Sequence, residues 1–296
     1  LPGLCLILTA CDVIVEAAQG TGEEYRLQPA GAEASALEAA LLPTPTLAPD
    51  AWMSWPVLPK ISETALEIYR RGFEMGNNPH AFSKVGDCQN VPSMFMAPFD
   101  DPRLYRLGEE YADLDATIEW FAGSFSRESL AVRGGFNAAS VLSPFWANPE
   151  ICERNESPLE CEYRVHKPII AIISLETWWD KEPEEYEAYL RSIIEITIEH
   201  GVVPILTTKA DNLEGGHRIN GVIARLGYEY DIPVWNFWAA VQDLPGGGLL
   251  EDGFHLTFAA NQFDDPERML AAWPWRNLTG LQSIHSVWES LSAPAR

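Results

Sequence analysis

Basic residues are scarce in this chain. Its 296 residues hold 20 Lys and Arg against 43 Asp and Glu, a formal net charge of −23, and no run of five basic residues interrupts the acid. A field of that sign repels phosphate backbones, which argues against nucleic-acid partners. The acid itself reads as a solvated surface. Metal-ligand spacings are missing as well: neither CxxC nor HExxH occurs and the six His are scattered. Neither a metal nor another cofactor is therefore expected. Internal repeats are absent, and there is no second break in composition within the folded part, so one domain is the economical reading.

What is present suffices for a large core, since 47% of the residues are apolar and 11 are Trp. Residues 1–11, LPGLCLILTAC, read as the end of an apolar export segment, truncated because a basic leader would normally precede it. From Asp12 to residue 51 the chain is rich in Ala, Pro, Thr, Gly and Glu and nearly devoid of aromatics, the composition of a flexible linker. The folded domain is expected over residues 52–296. Leu8-Thr9-Ala10-Cys11 resembles a bacterial lipobox, which implies lipid attachment at Cys11 and a membrane anchor on the extracytoplasmic side.

With Cys5 in the removed segment and Cys11 lipidated, Cys88, Cys152 and Cys161 remain in the mature domain. Cys152 and Cys161 lie nine apart in a polar, loop-like stretch, and an exported protein is expected to close a disulfide there. Cys88 is then the odd thiol, either buried and inert or retained for chemistry.

Apolar runs at Ala81–Val85, Pro168–Ser174, Val202–Thr207 and Ile232–Asn236 predict strands of a buried sheet. Between them, helical spacing of apolar residues predicts helices over Pro183–His200, with Pro at its start and Gly201 as its stop, and over Arg218–Leu226. Strands alternating with helices imply a parallel sheet in a three-layer α/β/α sandwich, with ligands at the carboxyl ends of the strands.

The chemistry-bearing residues fall at those ends. Gly86-Asp87-Cys88 follows the first predicted strand, and Asp252-Gly253-Phe254-His255 lies near the far end of the chain. Together they resemble the GDS and DxxH blocks of the SGNH (GDSL) hydrolases, with Cys88 in place of the usual serine. The resemblance implies Cys88 as nucleophile at a helix N-terminus that lowers its pKa, His255 as general base and Asp252 as the residue that orients the ring. Arg133-Gly134-Gly135-Phe136-Asn137-Ala138 resembles the family's glycine block, with Gly135 as oxyanion donor and Asn137 beside it. After the second strand the family usually carries an Asn that completes the oxyanion hole; here Trp178 stands in its place, next to Trp179. The implied activity is hydrolysis or transfer of an acyl ester, small or glycan-linked. The alternative is a catalytically impaired surface lipoprotein that uses the same cleft, with Trp178 and Trp179 as an aromatic platform, to bind a glycan. Asp211, Asn212, His217, Asn220 and Asn236, also near strand ends, are expected to line the cleft, though capping and turn formation explain Asp211 and Asn212 as well.

Overall fold

The computed structural model describes residues 47–175 and 183–292. Cys11, the expected linker as far as residue 46, and Trp178 and Trp179 lie outside the described residues. In chain order the regular elements are α1 (Glu63–Glu74), β1 (Asn78–Gly86), β2 (Tyr105–Arg106), α2 (Asp115–Trp120), α3 (Pro158–His166), β3 (Pro168–Ser174), α4 (Pro183–Glu199), β4 (Val203–Thr207), α5 (Arg218–Glu229), β5 (Val234–Trp235), α6 (Phe237–Val241), β6 (Asn261–Gln262) and α7 (Ala272–Ser292).

Every residue of β3 and β4 is buried. Parallel strands covered on both faces have that pattern, whereas a half-solvated sheet alternates. The main sheet runs β1-β3-β4-β5, all parallel. Beyond β1, Gly86 forms a parallel bridge with Val132: Gly86 N donates to Ala131 O at 3.0 Å and Arg133 N to Gly86 O at 3.3 Å. The chain therefore winds outward from β1 on one side and from β3 on the other. In such doubly wound sheets the ligand crevice opens where the strand order reverses, at the carboxyl ends of the central pair.

Side chains on β1 show the two faces. Ser83 Oγ donates to Glu162 of α3 at 2.5 Å, and Tyr163 of α3 bonds Thr197 of α4. Helix α4 is tied in turn to the end of α5 by Arg191 and Glu229. Phe82 points the other way, edge-on to Phe121 and Phe125 just after α2. There α2 meets α7 through Thr117–His285 and Trp120–Trp288. The result is the expected α/β/α layering around a parallel sheet.

The observed strands differ from the expected ones at their ends. β1 starts three residues earlier and β5 keeps only Val234–Trp235. A larger difference concerns Cys161, expected in a loop but found in α3. Ser157 Oγ accepts from Glu160 N, and Glu160 Oε2 accepts from Ser157 N. This reciprocal capping box, with Pro158 in the first turn, starts the helix before the cysteine. Cys152 and Cys161 are joined in a disulfide, their Cα atoms 5.3 Å apart.

Candidate active site

Cys88 lies two residues past the end of β1, after Asp87. Asp87, 1% exposed, folds its carboxylate back to accept Gln89 N at 2.8 Å, which closes one 3-10 turn over Cys88–Asn90 and presents Cys88 half-buried at its start. The α-helix expected here is replaced by this single turn, so the described structure sets no helix N-terminus against the thiol. What holds the turn is Asn90. Its Nδ2 donates to Ser174 O, the last carbonyl of β3, at 2.9 Å. Gly86 makes room for that amide, because a Cβ at 86 would lie 2.1 Å from Asn90 Nδ2 and 2.6 Å from its Cβ. No positive φ is involved; the requirement is space.

The glycine block runs alongside. A Cβ at Gly134 would lie 3.9 Å from Cys88 Cβ, in ordinary contact. Gly135 has φ +87°, a conformation that side chains disfavour. The N–H groups of Gly134 and Gly135 meet no acceptor among the described residues. Asn137, by contrast, uses its side-chain oxygen to cap the next turn, accepting from Ala139 N, Ser140 N and Ser140 Oγ at 2.9 to 3.0 Å. That oxygen serves the loop rather than the cleft.

The second half of the site is a tight loop. Leu249 and Leu256 form an antiparallel bridge, Leu250 N donates to His255 O at 2.8 Å, and Gly253 turns with φ +69°. Inside it, His255 Nδ1 lies 2.5 Å from Asp252 Oδ2, while Asp252 Oδ1 accepts the Phe254 and His255 N–H groups, each at 3.0 Å. The ring hydrogen bond, then these two N–H groups, hold the Asp252 carboxyl down at about 2. An ionised Asp252 makes Nδ1 the protonated ring nitrogen, which leaves Nε2 with its lone pair. Nε2 meets no partner among the described residues. Both side chains are nearly half exposed, so their attraction is screened by water.

A buried polar layer links the two halves. Arg276, on α7 and 1% exposed, donates to Ser174 Oγ at 2.6 Å, its guanidinium 5.0 Å from Phe95, 5.1 Å from Phe237 and 5.6 Å from Trp235. The start of α7 is bound to the His255 loop: Ala272 N donates to Thr257 Oγ1 and Trp273 N to Thr257 O. Cys88 and His255 are thus each anchored, through Asn90 and through α7, to the carboxyl end of β3. Sequence reasoning missed Asn90, Ser174 and Arg276. The signal available for Asn90 was its place four residues after the glycine.

Most of the other candidates are structural. Asn220 bonds both Lys209 N and Lys209 O, Asp211 pairs with Lys209 at 2.8 Å, and Asn236 donates to Trp52 O at 3.0 Å while capping α6. All three are buried, and their side chains are engaged in these bonds. Asn212 Oδ1 accepts His217 N at 2.7 Å. A cavity of about 450 Å³ opens at the opposite, amino end of the sheet, lined by Asn77, Glu156, Tyr163, Arg164 and His200 among others, with none of the expected site residues. Among the described residues one group has metal-like spacing, Cys152, Glu156 and Cys161, and its two sulfurs are bonded to each other.

No protein-family model matches the chain, and no curated protein matches it. Among solved structures, the crystal structure of TesA is similar with a TM-score of 0.39 and 16% sequence identity, over 68% of this chain and 99% of that one. The chemistry is therefore read from the site's own residues.

Proposed function

We propose that the chain is an SGNH-type acyl hydrolase or acyl transferase acting on an ester, in which Cys88 is the nucleophile and His255 its base. The observation that carries this reading is the Asp252–His255 pair, whose carboxylate fixes the ring by one hydrogen bond and its own loop by two. His255 Nε2 takes the thiol proton as Cys88 Sγ bonds to the acyl carbon; the charged carbonyl oxygen is met by N–H groups of the glycine block. Collapse expels the alcohol, which leaves with the proton held on His255. Water or a second acceptor then attacks the thioester, with His255 again as base, and Cys88 is released. The disulfide between Cys152 and Cys161 favours an oxidising, extracytoplasmic location, where lipid at Cys11 would tether the domain to a membrane.

Hydrolysis of p-nitrophenyl acetate by the purified chain tests the proposal. Cys88→Ala abolishes turnover, Cys88→Ser retains a fraction, and His255→Ala lowers kcat by roughly 10² to 10⁴, the range of general-base effects. Full activity in Cys88→Ala refutes the mechanism. An inactive wild type that binds glycans would instead establish the non-catalytic surface protein.

A further inference from the structure

The glycine block beside Cys88 begins with a cation that no carboxylate neutralises among the described residues. Arg133 is exposed and begins the glycine block. Its backbone N–H is bonded to Gly86 O, and the next residue, Gly134, is the one against Cys88. Arg103, Arg106, Arg127, Arg164, Arg191 and Arg225 all pair with carboxylates. Arg133 has no carboxylate within ion-pair distance among the described residues, although acids outnumber bases by 43 to 20. Its guanidinium lies 5.7 Å from the ring centre of Trp146, which meets Phe145 edge-on at 5.2 Å. Trp146 is 43% exposed and Phe145 84%. A guanidinium attracted to a ring face at this distance keeps N–H donors for a planar anion. Arg276, also at this end of the sheet, is buried against Ser174 and does not present itself to a ligand.

We propose that Arg133 sets the specificity of the Cys88 site for acyl compounds that carry an anionic oxygen group, carboxylate or phosphate, with Phe145 and Trp146 covering the apolar part beside it. This rests on Cys88 being the reacting group of the proposed function. A net charge of −23 repels an anionic substrate at long range, so a local cation at the point of reaction is what such a substrate requires.

Alkylation tests the charge without requiring turnover. Iodoacetate and iodoacetamide deliver nearly isosteric groups to Cys88, the thiolate displacing iodide from each, and only the first carries a carboxylate. The ratio of the two rates is the readout. In Arg133→Gln it falls roughly fivefold relative to wild type, about 1 kcal/mol at 1.4 kcal/mol per tenfold. In Arg133→Lys most of the ratio survives, and added salt lowers it in the wild type more than in Arg133→Gln. A second arm compares phenyl acetate with the phenyl monoester of succinic acid, and the preference for the anionic ester falls in Arg133→Gln. If neither ester is hydrolysed while the alkylation ratio falls, the anion site stands and the hydrolase reading fails. An alkylation ratio unchanged in Arg133→Gln overturns the proposal, whatever the ester assays show.

Discussion

The contact between Gly86 and Asn90 makes the most exacting demand on the sequence around Cys88. Adding one methyl group at 86 puts a Cβ 2.1 Å from Asn90 Nδ2, 2.3 Å from its Cγ and 2.6 Å from its Cβ. The Asn90 side chain cannot stay, and with it goes the bond to Ser174 O. Overpacking costs about 1 to 3 kcal/mol, and a buried hydrogen bond broken on one side about 1 to 3 more. Gly86→Ala is thus expected to destabilise by roughly 2 to 6 kcal/mol, the sum of those two ranges. If the clash is the cause, the cost depends on residue 90. Asn90→Gly removes all three crowded atoms, so Gly86→Ala in that background should cost about 1 kcal/mol or less, and the cycle should show a coupling on the order of 2 kcal/mol. Urea denaturation of the four proteins measures it, and Cys88 labelling reports whether the turn has shifted. Equal costs of Gly86→Ala in the two backgrounds would refute the spatial argument.

Two further predictions concern stability. The Cys152–Cys161 bridge closes a short loop, and chain entropy puts its loss at roughly 2.5 kcal/mol; the double Ser variant should show that deficit in denaturant, and no deficit would mean that the loop ends are held by α3 alone. Lys84 is 1% exposed on β1, bonded to Phe125 O at 2.6 Å, and burial, with Arg127 nearby, pushes its ammonium down to about 7. Between about 7 and the unfolded value of 10.5 the unfolded chain binds the extra proton, so the wild type should gain stability as pH rises through that window. Lys84→Met should remove that part of the slope and be more stable by a few kcal/mol near pH 6; parallel pH profiles of the two proteins would refute it.

Much of the fold was legible because parallel strands announce themselves. Pro168–Ser174 is an unbroken run rich in Ile, and Pro183 and Gly201 bracket α4. Helix α3 was hidden although its capping box stands in the sequence as Ser157-Pro158-Leu159-Glu160, since the flanking cysteines drew the reading toward a loop. Helix α7 was hidden for a different reason. It buries Arg276, Asn277, Thr279 and Ser283 along with its apolar residues, so polarity does not mark its solvent face and the periodicity fails. Asp87, Cys88, Gly135, Asp252 and His255, the residues of the proposed site, stand in the sequence as legible motifs. The residues that join the motifs were not legible, because a hydrogen bond such as Asn90 to Ser174 depends on which strands are neighbours.

That joining layer decides how the site can work. The Cys88 turn and the Asp252–His255 loop come from distant parts of the chain, and each is short, exposed in part and poor in regular structure. Neither would hold a reacting distance by its own bonds. Ser174 is the shared point: its carbonyl accepts from Asn90 and its hydroxyl from Arg276. Arg276 donates to the Ser174 hydroxyl from among three aromatic rings, so it fixes where the end of β3 lies against α7. Its removal should therefore act on the approach of Cys88 to His255 before it acts on the sheet, whose strands are already packed on both faces.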